Sequence, residues 1–472
     1  MTDTKLTTNN LPKGKTKHKI SRDDWQMRLF MTIIALYLLV AVAFPLYAIL
    51  SKSLYDREGL WVGLANYSYY FSTPALFYSI YNSLFVAIIT TCITVSLAFV
   101  FAYALTRSCM IGKGFFKTIA MIPILVPSLL SGIALVYLFG NQGIIKSFLF
   151  GYSIYGPIGI IIAEAFYTFP HALLIIMTAF SIADARMYEA AISLRASRPK
   201  IFFTVTLPGV RYGLISAAFV VFTLVITDFG IPKVIGGKFN VLAVDVYKQV
   251  VGQQNFQMGA VVSVVLLIPA MLAFTVDRIV QKKQITLLSS RAVVFAPKKN
   301  LRFDSLMLVY CILVSILIVT ILGMCQYAAL VNYWPYDMSL GFNNYRFELM
   351  DGGGWQSYYN SIRLAIYTAV FGTIIVFCGA YLVEKGRGLN IGRNIFHFLA
   401  MMPMAIPGMT LGLAYIFFFN NPVNPLNFIY GSMAILVICT IIHFYTVSHL
   451  TAVTALKQID KEFESVSASL KQ

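Results

Sequence analysis

The sequence predicts an all-α protein that crosses a membrane many times and is built from one module written twice. Three observations predict it. Apolar residues make up 58% of the 472 residues and charged residues only 12%, against roughly 25% charged in a soluble globular chain. Ten stretches are long and apolar enough to cross a bilayer core, which takes about 20 helical residues; they run over 29–50, 79–106, 117–139, 154–180, 213–235, 256–276, 305–326, 360–383, 395–418 and 428–451. Landmarks in the first half also return in the second at offsets of 278 to 280 residues. Asn66-Tyr67 returns as Asn344-Tyr345, Asn82-Ser83 as Asn360-Ser361, and Pro123-Ile124-Leu125-Val126-Pro127 as Pro403-Met404-Ala405-Ile406-Pro407. Landmarks matched in one order across membrane spans mark an internal repeat and point to transport.

The elements run in order along the chain. Residues 1–28 form a basic tail with Lys13, Lys15, Lys17, Lys19, Arg22 and Arg28. The run at 29–50 lacks a small-residue cleavage pattern and reads as a retained span. The second span opens at Asn82-Ser83 and ends at Arg107. The third and ninth carry paired prolines followed by Gly132 and Gly412, which mark irregular spans in both halves. The fourth contains Glu164, Pro170 and His171, and the fifth is the weakest because Asp228 and Pro232 interrupt it. Loops 51–78 and 327–359 hold Tyr67, Tyr69, Tyr70, Tyr345, Trp355, Tyr358 and Tyr359, aromatics suited to a membrane interface. With the N-terminus in the cytoplasm, 28 of the 36 Lys and Arg residues fall inside, in line with the positive-inside rule. The formal charge of +17 therefore belongs to a membrane face and lipid headgroups, and no nucleic-acid partner is expected. The chain divides into the tail (1–28), a first unit (29–280), a basic cytoplasmic linker (281–304) read as a tether, and a second unit (305–472). The six cysteines form no CxxC pair and read as lipid- or core-facing side chains, so no metal site is expected.

One inside loop is too polar to span. Residues 184–196 read as a short helix with an acidic start and a basic end, which suits the helix dipole. Met187, Ala191 and Leu194 share a face. Pro199 starts or breaks the next stretch, and Pro208 is expected to close the segment. A short helix with one apolar face fits docking in another protein's groove or resting on the bilayer. Glu189, Ala190, Ala191, Val205, Leu207 and Pro208 fall in the spacing of the EAA loop, so the stretch resembles the permeases of binding-protein-dependent ABC importers. The resemblance implies two tandem permease domains in the cell inner membrane. It makes this loop a coupling helix, with Leu194 and Arg195 included, seated on a cytoplasmic ATPase subunit. It departs from the pattern at Arg195, where glycine is expected. Either the turn is made differently there, or the arginine reaches a carboxylate on the partner. In the second copy, Glu464, Leu470 and Lys471 occupy the corresponding, more divergent loop.

Ionisable groups are costly in lipid, so Glu164, His171, Asp228 and Lys233 are candidate pathway residues, with Asp228 and Lys233 close enough to neutralise each other. Asp228-Phe229-Gly230 with Gly236-Gly237, and the run from Val246 to Gly259, resemble the iron(III), thiosulfate and phosphonate branch. Within it they are most similar to 2-aminoethylphosphonate permeases. Iron(III) or another anion is the alternative cargo. Lys233, Lys238 and Lys248 make the outer mouth basic, which suits an anionic cargo or an acidic patch on a receptor. The resemblance further implies two ATPase subunits, a periplasmic substrate-binding protein and a small-molecule cargo. No G-x-x-x-x-G-K-[ST] loop is present, so ATP is expected to serve the partner subunits and no cofactor to be held by this chain. No H-E-x-x-H or G-x-S-x-G motif points to an enzyme. Ion-coupled secondary transport is disfavoured because Glu164 has no acidic counterpart in the second copy. Completing that copy would take about 80 further residues, the length that occupies 197–280 in the first, and the second domain is expected to be incomplete.

Overall fold

The computed structural model describes residues 22–182, 184–286, 295–349, 353–386 and 390–457. The chain is nearly all helix, and among the described residues eight helices are long and apolar enough to span a membrane. They are α1 (Trp25–Lys52), α2 (Pro74–Arg107), α5 (Pro157–Ile182), α7 (Arg198–Thr227), α10 (Phe256–Thr286), α11 (Leu301–Leu330), α12 (Trp355–Lys385) and α15 (Met433–Lys457). The third and ninth apolar runs are bent pairs. α3 (Lys113–Leu125) meets α4 (Ser128–Phe139) at 102°, and α13 (Gly392–Ala405) meets α14 (Gly408–Phe419) at 114°. Short helices α6 (Ala185–Ser193), α8 (Gly230–Ile235) and α9 (Leu242–Tyr247) connect spans. A two-stranded antiparallel hairpin, β1 (Val331–Tyr333) and β2 (Asp337–Leu340), comes after α11.

The bends have one local cause, repeated. A residue before proline is driven out of the helical region, and proline has no N–H to continue the ladder. Val126 and Ile406 are accordingly extended, and Pro127 (φ −58°, ψ 141°) and Pro407 (φ −57°, ψ 141°) stand at the start of α4 and α14. The Asn-Tyr landmarks also do one job twice. The Asn66 amide donates to the carbonyls of Ser53 and Tyr55, both at 2.9 Å, and Asn344 donates to those of Ala329 and Val331 at 3.2 and 2.6 Å. Each satisfies carbonyls freed where a span ends.

The fifth run differs from its expected bounds. The helix begins at Arg198 and stops at Thr227, where Asp228 leaves the helical region (ψ 134°), and α8 is a separate piece. α2, α5, α7 and α10 form the body of the first half, and α12 packs on α15 in the second. The first span of each half crosses over. α1 packs on α12, α13 and α14, as well as on α10, with the Tyr415 hydroxyl donating to the Ala41 carbonyl at 2.8 Å. α11 packs on α2, α3 and α4, and the Tyr310 hydroxyl donates to the Leu97 carbonyl at 2.8 Å.

Candidate functional site

The polar loop folds as α6. The Asp184 carboxylate accepts from the Arg186 N–H at 3.1 Å and caps its start. Its end is a Schellman turn, with Arg195 N–H to the Ile192 carbonyl at 2.9 Å and Ala196 N–H to the Ala191 carbonyl at 3.0 Å. Arg195 has φ +53°, the left-handed conformation that glycine adopts most readily. The turn is therefore the one glycine would make, held by a residue for which it costs roughly 1–2 kcal/mol. Ala185 and Tyr188 are buried and hold the helix down. Glu189 and Ala190 are exposed and Ala191 is half-buried. Met187, Ile192 and Leu194 are 59%, 55% and 82% exposed. That is an apolar surface on a helix otherwise too polar to enter a membrane.

Pro208 does not close the segment. It lies inside α7, just after a π-turn at Phe202–Thr206 in which the Leu207 N–H reaches back to the Phe202 carbonyl. A wider turn there absorbs the donor that proline lacks, and the same arrangement precedes Pro45 in α1. Leu207 is half-buried and Pro208 exposed, both on α7. Glu464, Leu470 and Lys471 lie outside the described residues.

A second constellation forms behind the bend between α3 and α4. The Ser128 hydroxyl donates to Asp228 Oδ1 at 2.8 Å, and Asp228 Oδ2 accepts from the Ile231 N–H at 2.8 Å. One carboxylate thus ties together the starts of two short helices, α4 and α8, each beginning at a break. Glu164, on α5, is fully buried with Asp228 as its electrostatic neighbour. Lys233 is not the partner of Asp228. Its ammonium sits 4.4 Å from the centre of the Tyr247 ring, while Lys248 bonds to the Asn240 side chain. His171 lies further along α5, its ring 5.8 Å from that of Tyr167. So the structure brings Glu164 and Asp228 together inside the first half and leaves His171 and Lys233 apart from them.

Cavities lie at several places where the halves meet, two of which border the bend between α13 and α14. One of about 510 Å³ is walled by Tyr247 and Val251 from the first half and Gly412, Tyr415 and Tyr430 from the second. The other, about 210 Å³, lies between Thr223 and Thr227 of α7, Phe274 of α10, and the Pro403–Pro407 bend with His443. Sequence reasoning missed Ser128, whose signal was its place directly after Pro127. It also missed Arg107, which it read only as the end of a span. The linker segment after residue 294 is not a free tether, because the Cys109 N–H donates to Asp304 at 2.7 Å and the Cys109 thiol to the Pro297 carbonyl at 3.2 Å.

Residues 95–286, which include α6 and the Ser128–Asp228 pair, match the family described as the inner membrane component of binding-protein-dependent transport systems. The chain is 28% identical over 417 residues to a ferric transport system permease protein of Actinobacillus pleuropneumoniae, which covers 83% of this chain and 58% of the relative. It is 28% identical over 194 residues to a molybdate/tungstate transport system permease protein of Pyrococcus furiosus, covering 41% of this chain and 71% of the relative. It is 31% identical over 162 residues to a molybdenum transport system permease protein of Azotobacter vinelandii, covering 33% of this chain and 71% of the relative.

Proposed function

The chain belongs to the family of inner membrane components of binding-protein-dependent transport systems, and from that premise we propose that it is the permease of an ATP-driven importer. The observation that carries the proposal is α6. It is a short capped helix between two spans, with Met187, Ile192 and Leu194 uncovered beside Glu189 and Ala190. Such a surface suits a groove on a cytoplasmic ATPase subunit, and on this reading the N-terminus and α6 lie inside, in line with the distribution of Lys and Arg. On this reading two ATPase subunits supply the hydrolysis and a periplasmic substrate-binding protein delivers cargo to the opposite face. The chain transmits movement and carries out no chemistry. The cavities between the halves are parts of the pathway, and closure of α9 and α10 against α14 on one side alternates with opening on the other.

Iron(III) is the cargo favoured by the ferric relative, whose match covers 83% of this chain. The run from Asp228 to Gly259 resembles 2-aminoethylphosphonate permeases, which makes that compound the second cargo, and its Lys233, Lys238 and Lys248 suit an anion. Lys233 and Lys248 already have neighbours in Tyr247 and Asn240, which leaves Lys238 the more available charge for an anion.

The test is purification from native membranes through a tag ahead of Met1, then uptake measurements in vesicles. An ATPase subunit should copurify, and Leu194→Glu should reduce its recovery at least about tenfold by placing a charge in an apolar contact. Radiolabelled iron(III) should enter in an ATP-dependent manner. Entry of 2-aminoethylphosphonate instead would replace the cargo and keep the importer. An isolated chain that hydrolyses ATP, or wild-type recovery of the ATPase with Leu194→Glu, would overturn the assignment of α6.

A further inference from the structure

We propose that Arg107 is a positioning residue that pins α6 to the end of α2 and to the segment leading into α11, so that the three move as one body. The inference rests on the reading of α6 as the coupling helix. Arg107 closes α2 and is only 9% exposed. Its Nη2 donates to the Phe180 carbonyl at 3.0 Å, at the end of α5. The guanidinium carbon lies 5.1 Å from the centre of the Phe180 ring, 5.4 Å from that of Tyr188 and 4.5 Å from that of Phe295. The rings of Tyr188 and Phe295 also touch, their centres 4.6 Å apart. Three sites far from Arg107 in sequence therefore converge on it: the end of α5, the buried side of α6 that follows it, and the linker between the two halves.

A planar guanidinium can meet aromatic faces while its edge donates to a carbonyl, a combination that a lysine ammonium does not reproduce. Beyond Phe295 the linker is fastened again within a few residues. Asp304, buried at the start of α11, accepts from the Cys109 N–H at 2.7 Å and from the Asn300 N–H at 3.0 Å, and the Asn300 side chain caps the Phe303 N–H at 3.2 Å. α11 then runs along α2, α3 and α4. Tyr188 is one of only two buried side chains on α6. Its contact with Arg107 is therefore a place where a push on α6 passes into the body of the first half, beside the packing of α6 on the start of α7. Without Arg107, the push is absorbed by the turns at either end of α6.

Amide hydrogen exchange on the purified chain tests the pin whatever the cargo. Arg107→Gln should speed exchange across residues 185–193 by about tenfold or more while leaving the middle of α5 at the wild-type rate. Arg107→Lys should fall between the two. Phe295→Ala, at a half-buried position, should produce the same local change in smaller degree, and it decides the matter alone should Arg107→Gln fail to accumulate. In vesicles with the ATPase and receptor, Arg107→Gln and Phe295→Ala should retain ATP hydrolysis and lose about fivefold in iron(III) taken up per ATP. Wild-type exchange over 185–193 in both variants would overturn the pin, as would faster exchange with undiminished uptake per ATP. A wild-type complex without ATP-driven uptake would overturn the importer reading, and the exchange rates would still decide the pin.

Discussion

Arg195 sits at the position of α6 where a side chain is least welcome, the left-handed residue of a Schellman turn. The sequence left open whether arginine in place of glycine meant a different turn or a reach toward a partner. The structure shows that the turn is kept, because the two hydrogen bonds closing α6 require φ near +53° whatever the side chain. Arg195→Gly should therefore stabilise the turn by about 1 kcal/mol and Arg195→Val destabilise it by about 2 kcal/mol. Exchange protection at residues 194–196 measures both. A loss of protection in Arg195→Gly would show that the arginine side chain holds the turn by contacts of its own. Asp228 teaches the converse lesson. Its place in an apolar run marked it as special from the sequence, but its partner is Ser128, a hundred residues away, and not the neighbouring Lys233. Proximity in sequence could not rank a hydroxyl behind a bend above a lysine five residues on.

At the scale of elements, the bends at Pro127 and Pro407 were legible because proline acts on its immediate neighbours. Pro199 does stand in the first turn of α7, but the passage of that helix through Pro208 was not legible. A polar stretch ending in Leu207-Pro208 reads as a loop, yet the π-turn ahead of Pro208 lets one helix run from Arg198 to Thr227. α7 is fixed in place by its packing on α5, where the helices approach closely at Gly213. A Cβ on Gly213 would lie 2.3 Å from the Cβ of Ala179. Small residues permit such approach between membrane helices. Gly213→Ala should therefore destabilise the chain by about 1–3 kcal/mol. Adding Ala179→Gly should restore most of the loss, as judged by resistance to denaturation in mild detergent. Failure of the second change to rescue the first would mean that the two helices part to accommodate the methyl group.

For the whole molecule, the consequential feature is the exchange of first spans. The division at 281–304 assigned α1 to the first unit and α11 to the second, but α1 packs on α12, α13 and α14, and α11 on α2, α3 and α4. Each half is thus clasped by a helix from the other. Phe44 of α1 and Phe418 of α14 have ring centres 5.9 Å apart. In a chain otherwise free of cysteine, Phe44→Cys with Phe418→Cys should cross-link within one polypeptide through a short bis-maleimide, read as a mobility shift at monomer size. Linkage only between two polypeptides would refute the clasp. The sequence by itself determined that the chain is a series of apolar helices, the repeated landmarks, the proline bends and the short loop helix. Each of these is set by run length, by proline, or by hydrogen bonds between near neighbours. Only the tertiary structure decided which half each first span covers, that Ser128 meets Asp228, and that Phe180, Tyr188 and Phe295 close around Arg107. Those outcomes depend on how surfaces far apart in the chain fit together, and that fit leaves no periodicity or motif in the residues on either side.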